Sequence, residues 1–477
     1  MREEVLTAAA RKNIFLSPDA LEMILSNSNP MEFTNTVLNA MTHNPFWIDK
    51  KDIMDFIAGD KTISEPRKPI VLKNKRDSDI SIIPGTDVTG DSTCEGKIND
   101  FAGYFENRFN TLKKMIERRK DFGNSMPIAR AVTLERETRI IGMVYNKKET
   151  KNGHITISLE DMSGTCTMFI SKDSPLIKEI FVHDEVIGVI GKGTSRKDLY
   201  IANEIVRPDI PTNNAWVPSD SCASIAFLSD VHVGSSTFLG SQWKKMVEWL
   251  KGNAYNMDLD YIVFPGDVVD GIGIFPSQEE ELEITDIYKQ YETFAEYLKE
   301  IPDHIKMVVQ PGNHDAVRLA EPQPALSEIF TKSFDSNVIL SGNPVNLNVE
   351  GRTVLTYHGK GLDDWVANVQ QLTYDDPINI MKEMLVRRHL SPMYGGRTAL
   401  APEKKDYLVV ERVPEIFVTG HVHGAGKMDH RGVKYINASA WQDQTEYQKM
   451  HNFNPNPAIM PVVNLGTGII RMMDFMD

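Results

Sequence analysis

Residues 414–424 read PEIFVTGHVHG. The run Ile416 to Val418 is apolar and rich in β-branched and aromatic residues, the mark of a buried strand, and Gly420 ends it before two histidines spaced by two. Working outward, the same pattern recurs in ASIAFLSD (223–230), YIVFPGD (261–267), IKMVVQPGNHD (305–315) and TVLTYHG (353–359), each an apolar run closed by Gly, Asp, Asn or His. Between the first two lies SQWKKMVEWLKG (241–252), whose Trp243, Met246, Val247 and Leu250 share one helical face; ELEITDIYKQYETFAEYLKE (281–300) separates the next two in the same way. Alternation of this kind predicts a layered α/β sheet with its polar clusters past the carboxyl ends of the strands, where open sheets gather ligands.

Upstream of Pro218 the grammar changes. The stretches TRIIGMVYN, HITISLED, CTMFIS, DEVIGVIGKGT and LYIANEIVRP alternate like short strands, with one helical candidate, PLIKEIF, after the third. Five strands with that interruption predict an OB-fold barrel over 128–215. Before it, residues 100–127 carry Phe101, Phe105, Phe109, Leu112 and Met115 at helical spacing, an amphipathic helix leading into the barrel. Residues 61–99 are polar and rich in Pro, Gly, Asp and Ser, and read as a flexible linker. Residues 1–60 read as a small helical domain in which Ser17 caps a helix begun by Pro18.

With 477 residues, more than one domain is expected. A net charge of −14 excludes holding nucleic acid through a general excess of positive charge, so any DNA contact calls for bound cations, a local basic groove or a basic partner. No apolar run spans a bilayer, and MREEVLTAAARKN lacks the order of a signal peptide; a cytoplasmic place without membrane attachment is expected. Cys94, Cys166 and Cys222 form neither a disulfide framework nor a metal knuckle and read as buried small side chains.

Five segments carry the chemistry: Asp230-Val231-His232, Gly266 to Asp270, Gly312 to Asp315, Tyr357-His358-Gly359, and Gly420 to His423. Together they offer carboxylate oxygen, amide oxygen and imidazole nitrogen, a set suited to Mn, Fe, Zn or Ni rather than to a thiolate-bound structural zinc. Five of the twelve histidines fall inside these segments, too tight a clustering for ordinary surface or core histidines. The spacing in Asp230/His232 and His421/His423 places each pair on one side of an extended strand end.

These motifs, D-x-H, G-D-x-x-D, G-N-H-D, H and G-H-x-H in this order, resemble the calcineurin-like metallophosphoesterases over about 223–440. The resemblance implies two divalent cations, Mn2+ first with Fe, Zn, Ni or Mg as alternatives. One would be held by Asp230, His232, Asp267 and His423, the other by Asp267, Asn313, His358 and His421, with Asp267 as the bridge. It makes His314 the catalytic histidine, with Asp315 fixing its tautomer and Asp270 orienting a ligand. Serine/threonine phosphatases of this group carry arginines in GDxVDRG and RGNHE, whereas here the text is GDVVDGIG and QPGNHD. That moves the likeness toward the DNA repair nucleases.

The barrel before the phosphoesterase domain and the segment 386–424, with RHL-P-YGGR, APE and VP-I, resemble the small subunit of archaeal family D DNA polymerase. The expectation is a multidomain α+β chain: a calcineurin-like α/β sandwich over 216–477, preceded by the OB-fold barrel and the helical domain. What the family implies is a proofreading 3′ to 5′ exonuclease, nucleoid-associated, working with the large catalytic subunit on a single-stranded or mismatched DNA 3′ end; the sliding clamp is a further candidate partner, although the sequence shows no evident clamp-binding peptide. A non-catalytic scaffold and a phosphomonoesterase are the competing functions. Arg387, Arg388, His389, Tyr394 and Arg397 form a basic, aromatic stretch that reads either as a DNA contact beside the metals or as a solvated charged loop or subunit contact.

Overall fold

The computed structural model describes residues 2–10, 14–27, 29–40, 47–48, 50, 53–54, 79–196, 198–450 and 453–476. They fall into two compact units, 1–77 and 78–477. In the first, helices Arg2–Ala10, Pro18–Leu25 and Pro30–Ala40 accompany a parallel strand pair, Phe15–Leu16 with Trp47–Ile48. Ser17 Oγ accepts the Ala20 N–H at 3.0 Å, which satisfies an orphan donor of the second helix. Val5, Leu21, Ile24, Val37, Leu38 and Ile48 close a small core. No described helix in either unit is long and apolar enough to cross a membrane.

The expected linker needs correction. Its residues 61–78 lie outside the described residues, but 79–99 are built into the second unit. Strand Ile80–Ile82 pairs antiparallel with Val345–Val349, and Ile80 and Ile82 pack on the core that Leu347 and Val349 belong to. Further on, the Glu403 carboxylate accepts from Ser92 Oγ at 2.6 Å and from the Thr93 N–H at 3.0 Å. Polar composition here signals turns and anchoring hydrogen bonds, not a chain with nothing to bind.

Helix Ile98–Glu117 buries Tyr104, Arg108, Phe109, Leu112 and Ile116. The aromatic stripe points to the same face: Phe109 and Leu112 are buried and Phe105 and Met115 pack against their cluster, while Tyr104 and Arg108 join that face through a buried partner the stripe does not reveal. Tyr104 donates to Asp406 Oδ1 at 2.6 Å and Arg108 Nε to Asp406 Oδ2 at 2.7 Å. The same carboxylate takes His389 Nε2 at 2.9 Å.

Strands Thr138–Glu149, Ile155–Asp161, Gly164–Ile170, Leu199–Val206 and Val186–Gly193 close into a barrel in that order. Ile155, Ile157 and Leu159 point inward at period two and meet Met168, Val189 and Tyr200. The helical candidate after the third strand is only a 3-10 turn, Pro175–Lys178, capped by Ser174.

After the barrel come two six-stranded sheets. In the first, Val338–Leu340, Lys306–Val309, Leu259–Phe264 and Ser224–Phe227 run parallel, followed by the antiparallel strands Ile459–Asn464 and Ile470–Asp474. In the second, Ala425–His430, Val433–Ala438, Ile416–Thr419, Arg352–Thr356, Val345–Val349 and Ile80–Ile82 lie side by side. Ile225, Phe227, Val263 and Val308 of the first sheet share one core with Leu347, Val354, Ile416 and Ile436 of the second. Each fully buried aliphatic side chain there contributes roughly 1.5–3 kcal/mol. This sandwich holds the strand ends of both sheets rigidly against one another.

Candidate metal centre

All five motif segments follow strands: Asp230 follows Ser224–Phe227, Asp267 follows Leu259–Phe264, Asn313 follows Lys306–Val309, His358 follows Arg352–Thr356, and His421 follows Ile416–Thr419. The sheets are laced together there, because the His421 N–H donates to Asp230 Oδ2 at 2.9 Å. The chain does not leave these strands extended, as the spacing of two suggested. Asp230, His232, Asp267, His421 and His423 all take left-handed backbone, with φ of 53°, 52°, 49°, 70° and 51°. Left-handed residues other than glycine cost on the order of 1–3 kcal/mol each, and such strain collects where a site over-determines the backbone. Here it turns each side chain inward immediately after its strand. Glycines supply the closeness: a Cβ on Gly312 would stand 2.2 Å from Asp267 Oδ1, and one on Gly420 would stand 1.8 Å from Ser229 Oγ and 2.3 Å from Asp230 Oδ2.

Three groups of ligand atoms converge, each within 4.8 Å: Asp230, His232 and His423 in the first, Asp267, His358 and His421 in the second, and His232, Asp270 and His314 in a third that shares His232 with the first. Asn313 joins the second, its Oδ1 lying 3.0 Å from His358 Nε2, which also sits 3.2 Å from Asp267 Oδ2. In the first, His232 Nε2 and His423 Nε2 face each other at 3.1 Å, and His423 Nε2 is 3.5 Å from Asp230 Oδ1. The outward nitrogens are all engaged. His232 Nδ1 meets Asp270 Oδ1 at 2.9 Å, His358 Nδ1 meets the Pro265 carbonyl at 3.1 Å, and His423 Nδ1 lies 3.0 Å from the Gln448 side-chain amide. His421 is held through Nε2, 3.2 Å from Asp363 Oδ2. Asp270 is itself fixed by Gln278 at 2.9 Å and Gln442 at 3.0 Å. Tethering of this kind sets tautomer and ring direction.

Charge is concentrated in a dry place. Burial alone would raise Asp267, but His358, His314 and His232 around it hold it well below the usual carboxylate range. His358 is buried too, yet Asp267 and Asp230 lift it to about 9. Burial and the neighbouring His232 press His423 well below the ordinary imidazole value. Burial would raise Asp363, but it faces His421 and Lys360 and stays low. Alternating buried carboxylates and imidazoles, with a carboxamide, are the donor set of a borderline divalent cation, and these residues fit two such ions.

His314 lies at the mouth, partly open to solvent, beside the equally accessible Asn313 and His421. Its N–H donates to Asp267 Oδ1 at 2.7 Å, and its Nδ1 meets the Asp270 carbonyl at 2.8 Å. The tautomer is therefore set by Asp270, not by Asp315. Asp315 points away into the loop, where Oδ2 accepts the Gly312 N–H at 2.8 Å and Oδ1 accepts Tyr291 Oη at 3.0 Å. Burial, with Asp267 nearby, pushes it up to about 7.

The basic stretch divides. Arg387 is buried against Glu185 at 2.8 Å, pairs with Glu383, and lies under the Trp365 ring, its guanidinium carbon 5.0 Å from the centroid. Arg388 is buried and donates to the carbonyls of Val410 and Glu411 at 2.7 and 2.6 Å. His389 is buried on Asp406. These three are not open to DNA, because buried carboxylates and carbonyls take up their donors. Tyr394 and Arg397 are exposed; Tyr394 packs on Phe101 and Phe105, and Arg397 Nη1 reaches the Tyr374 hydroxyl at 3.3 Å. Sequence reasoning missed Asp363, Gln278, Gln442 and Gln448. Only Asp363 left a trace, a carboxylate on the helix that begins four residues after His358. Of the cysteines, Cys166 is buried, but Cys222 is exposed and Cys94 lies against Glu403.

The family model for the B subunit of DNA polymerases alpha and epsilon matches residues 225–425, the span that holds all five segments. The DNA polymerase II small subunit of Archaeoglobus fulgidus is 41% identical over 472 residues, 96% of this chain and 95% of the relative. That of Thermoplasma acidophilum is 37% identical over 465 residues, covering 97% and 91%, and that of Methanothermobacter thermautotrophicus is 35% identical over 488, covering 99% of each. Likeness at this level, along almost the full length of both partners, means that this chain belongs to the family of archaeal DNA polymerase II small subunits, the small subunits of family D polymerase.

Proposed function

We propose that this chain is a metal-dependent 3′ to 5′ exonuclease that removes nucleotides from a primer end, working with the large subunit of its polymerase. The observation that supports it is the completeness of the candidate centre: Asp230, His232, Asp267, Asn313, His358, His421 and His423 all converge, and four imidazoles have their second nitrogen held. A polypeptide kept only as a scaffold has no need of strained backbone at five of these positions.

Asp230, His232, Asp267 and His423 would hold one cation, and Asp267, Asn313, His358 and His421 the other. When bound, two such ions supply Lewis acidity to the phosphate and make a water nucleophilic at neutral pH. The remaining work falls to the chain. Asp267, buried and low in pKa, keeps its negative charge between the two groups. His314 donates Nδ1–H to the Asp270 carbonyl, so Nε2 carries the lone pair and can take a proton from the attacking water and pass it to the departing 3′ oxygen. Lys360 and Arg397 stand on the Asp363 and Tyr374 side of the mouth, where backbone phosphates of a single strand can be met. The absence of both phosphatase arginines favours a diester over a phosphoprotein.

Purified protein, Mn2+ and a 5′-labelled primer give the test, with and without the large subunit. A ladder shortened from the 3′ end, abolished by Asp267→Asn, is expected. Intact primer in every lane would sink the proposal in favour of a scaffold, and phosphate release from a simple monoester without primer cleavage would favour a monoesterase.

A further inference from the structure

Asp363 belongs to none of the groups of convergent ligand atoms, yet it is tightly placed. Its Oδ2 takes the Lys360 ammonium at 2.7 Å and lies 3.2 Å from His421 Nε2. Its Oδ1 accepts the Tyr374 hydroxyl at 3.0 Å, and Tyr374 in turn receives Arg397 at 3.3 Å. In His232, His358 and His423 the tethered nitrogen is Nδ1, and Nε2 faces the other candidate ligands. In His421 the roles are reversed, since Nε2 is the one engaged.

We infer that Asp363 is the positioning carboxylate of His421: it keeps the proton on Nε2 and so leaves Nδ1 as the ligand atom for the second cation, in the group His421 forms with Asp267 and His358. Lys360 and Tyr374 fix Asp363 from both sides, so the imidazole is aimed before any cation arrives. The physical reason is general. A metal-bound imidazole needs its other N–H satisfied, and a carboxylate there both fixes the ring and raises its basicity, so that losing it typically weakens metal binding 10–100-fold. An asparagine in the same place still accepts from Nε2–H through its carbonyl oxygen.

This inference rests on the two-cation reading, and calorimetric titration of Mn2+ into the full, metal-stripped chain separates the two. Asp363→Ala should weaken the second binding event about 10–100-fold. Asp363→Asn should stay within about threefold of wild type, and Tyr374→Phe, which removes one support of the carboxylate, should lose a few-fold. Thermal melts of the metal-free variants show whether each is folded; if Asp363→Ala is not, Asp363→Asn and Tyr374→Phe decide. Wild-type affinity in Asp363→Ala, or in Tyr374→Phe if that variant must decide, overturns the inference. So does an Asn variant as weak as the Ala variant, which would make Asp363 a ligand in its own right. Absence of Mn2+ binding by the wild-type chain would instead remove the underlying reading.

Discussion

Gly312 and Gly420 leave the candidate centre no slack. A methyl group on Gly312 would press on the Asp267 carboxylate from 2.2 Å, so Gly312→Ala should reduce Mn2+ affinity at least about tenfold while the fold survives, as titration and circular dichroism of the same sample would show. His314 makes the opposite case. It stands outside the two proposed ligand sets, and its ring is anchored on a carbonyl. His314→Ala should therefore keep the Mn2+ stoichiometry and lose about 10²–10⁴-fold in primer cleavage. Equal losses of metal and cleavage would contradict that division of labour. The candidate ligands were legible because each stands immediately after an apolar run, where Gly, Asp and His have no reason to gather except chemistry. The left-handed backbone at Asp230, His232 and His423 was not, because nothing in side-chain spacing reports φ.

Strand Ile80–Ile82 and the Ser92 to Cys94 turn show how an element can hide in polar text. Two isoleucines at period two are too short a signal against Pro, Gly and Asp on both sides, and their partner strand lies more than 260 residues further on. Glu403 is what fixes the turn, joining Ser92, Thr93 and Cys94 to Arg318, which belongs to the loop just beyond His314 and Asp315. Glu403→Ala should destabilise the second unit by about 2 kcal/mol, since several donors lose a charged acceptor, and should speed hydrogen exchange at residues 92–94. Unchanged exchange there would show that the turn is held by something else. Helix Ile98–Glu117 was readable as a helix and in its buried face, but not in its buried charge: Arg108 reads as solvent-facing until Asp406, about 300 residues later, is known to lie beneath it. Sheets and barrel follow local periodicity; buried ion pairs follow tertiary contacts that no local pattern encodes.

Across the whole second unit, buried charges join barrel, helix and sandwich. Glu185, at the start of a barrel strand, binds both Arg207 and Arg387, and Asp406 gathers Tyr104, Arg108 and His389. Arg387→Ala should cost about 3 kcal/mol of stability and leave DNA affinity of the folded protein unchanged, whereas Arg397→Ala should weaken DNA binding with stability and metal content unchanged. Reversal of that pattern in denaturant titration and fluorescence anisotropy would restore Arg387 as a DNA contact. His389 gives a pH dependence. Its Nε2–H faces Asp406 and its Nδ1 accepts the Ser391 N–H at 3.2 Å, leaving no site for a second proton; burial and Arg108 bring it down to about 4 from its ordinary 6.5. Between those values the unfolded chain binds the proton and the folded one does not. Its contribution is thus complete above pH 6.5 and is lost as pH falls toward 4, by up to about 3 kcal/mol. Melting at pH 7 and 5 should show a steeper drop for wild type than for His389→Gln; parallel drops would contradict it. We propose that side chains from both sheets form one centre for two cations with Asp267 between them. Equilibrium dialysis against Mn2+, followed by metal analysis, tests it most directly. Two Mn2+ per chain in wild type and fewer than one in Asp267→Asn are predicted; no bound Mn2+ in wild type, or an undiminished count in Asp267→Asn, would contradict the account.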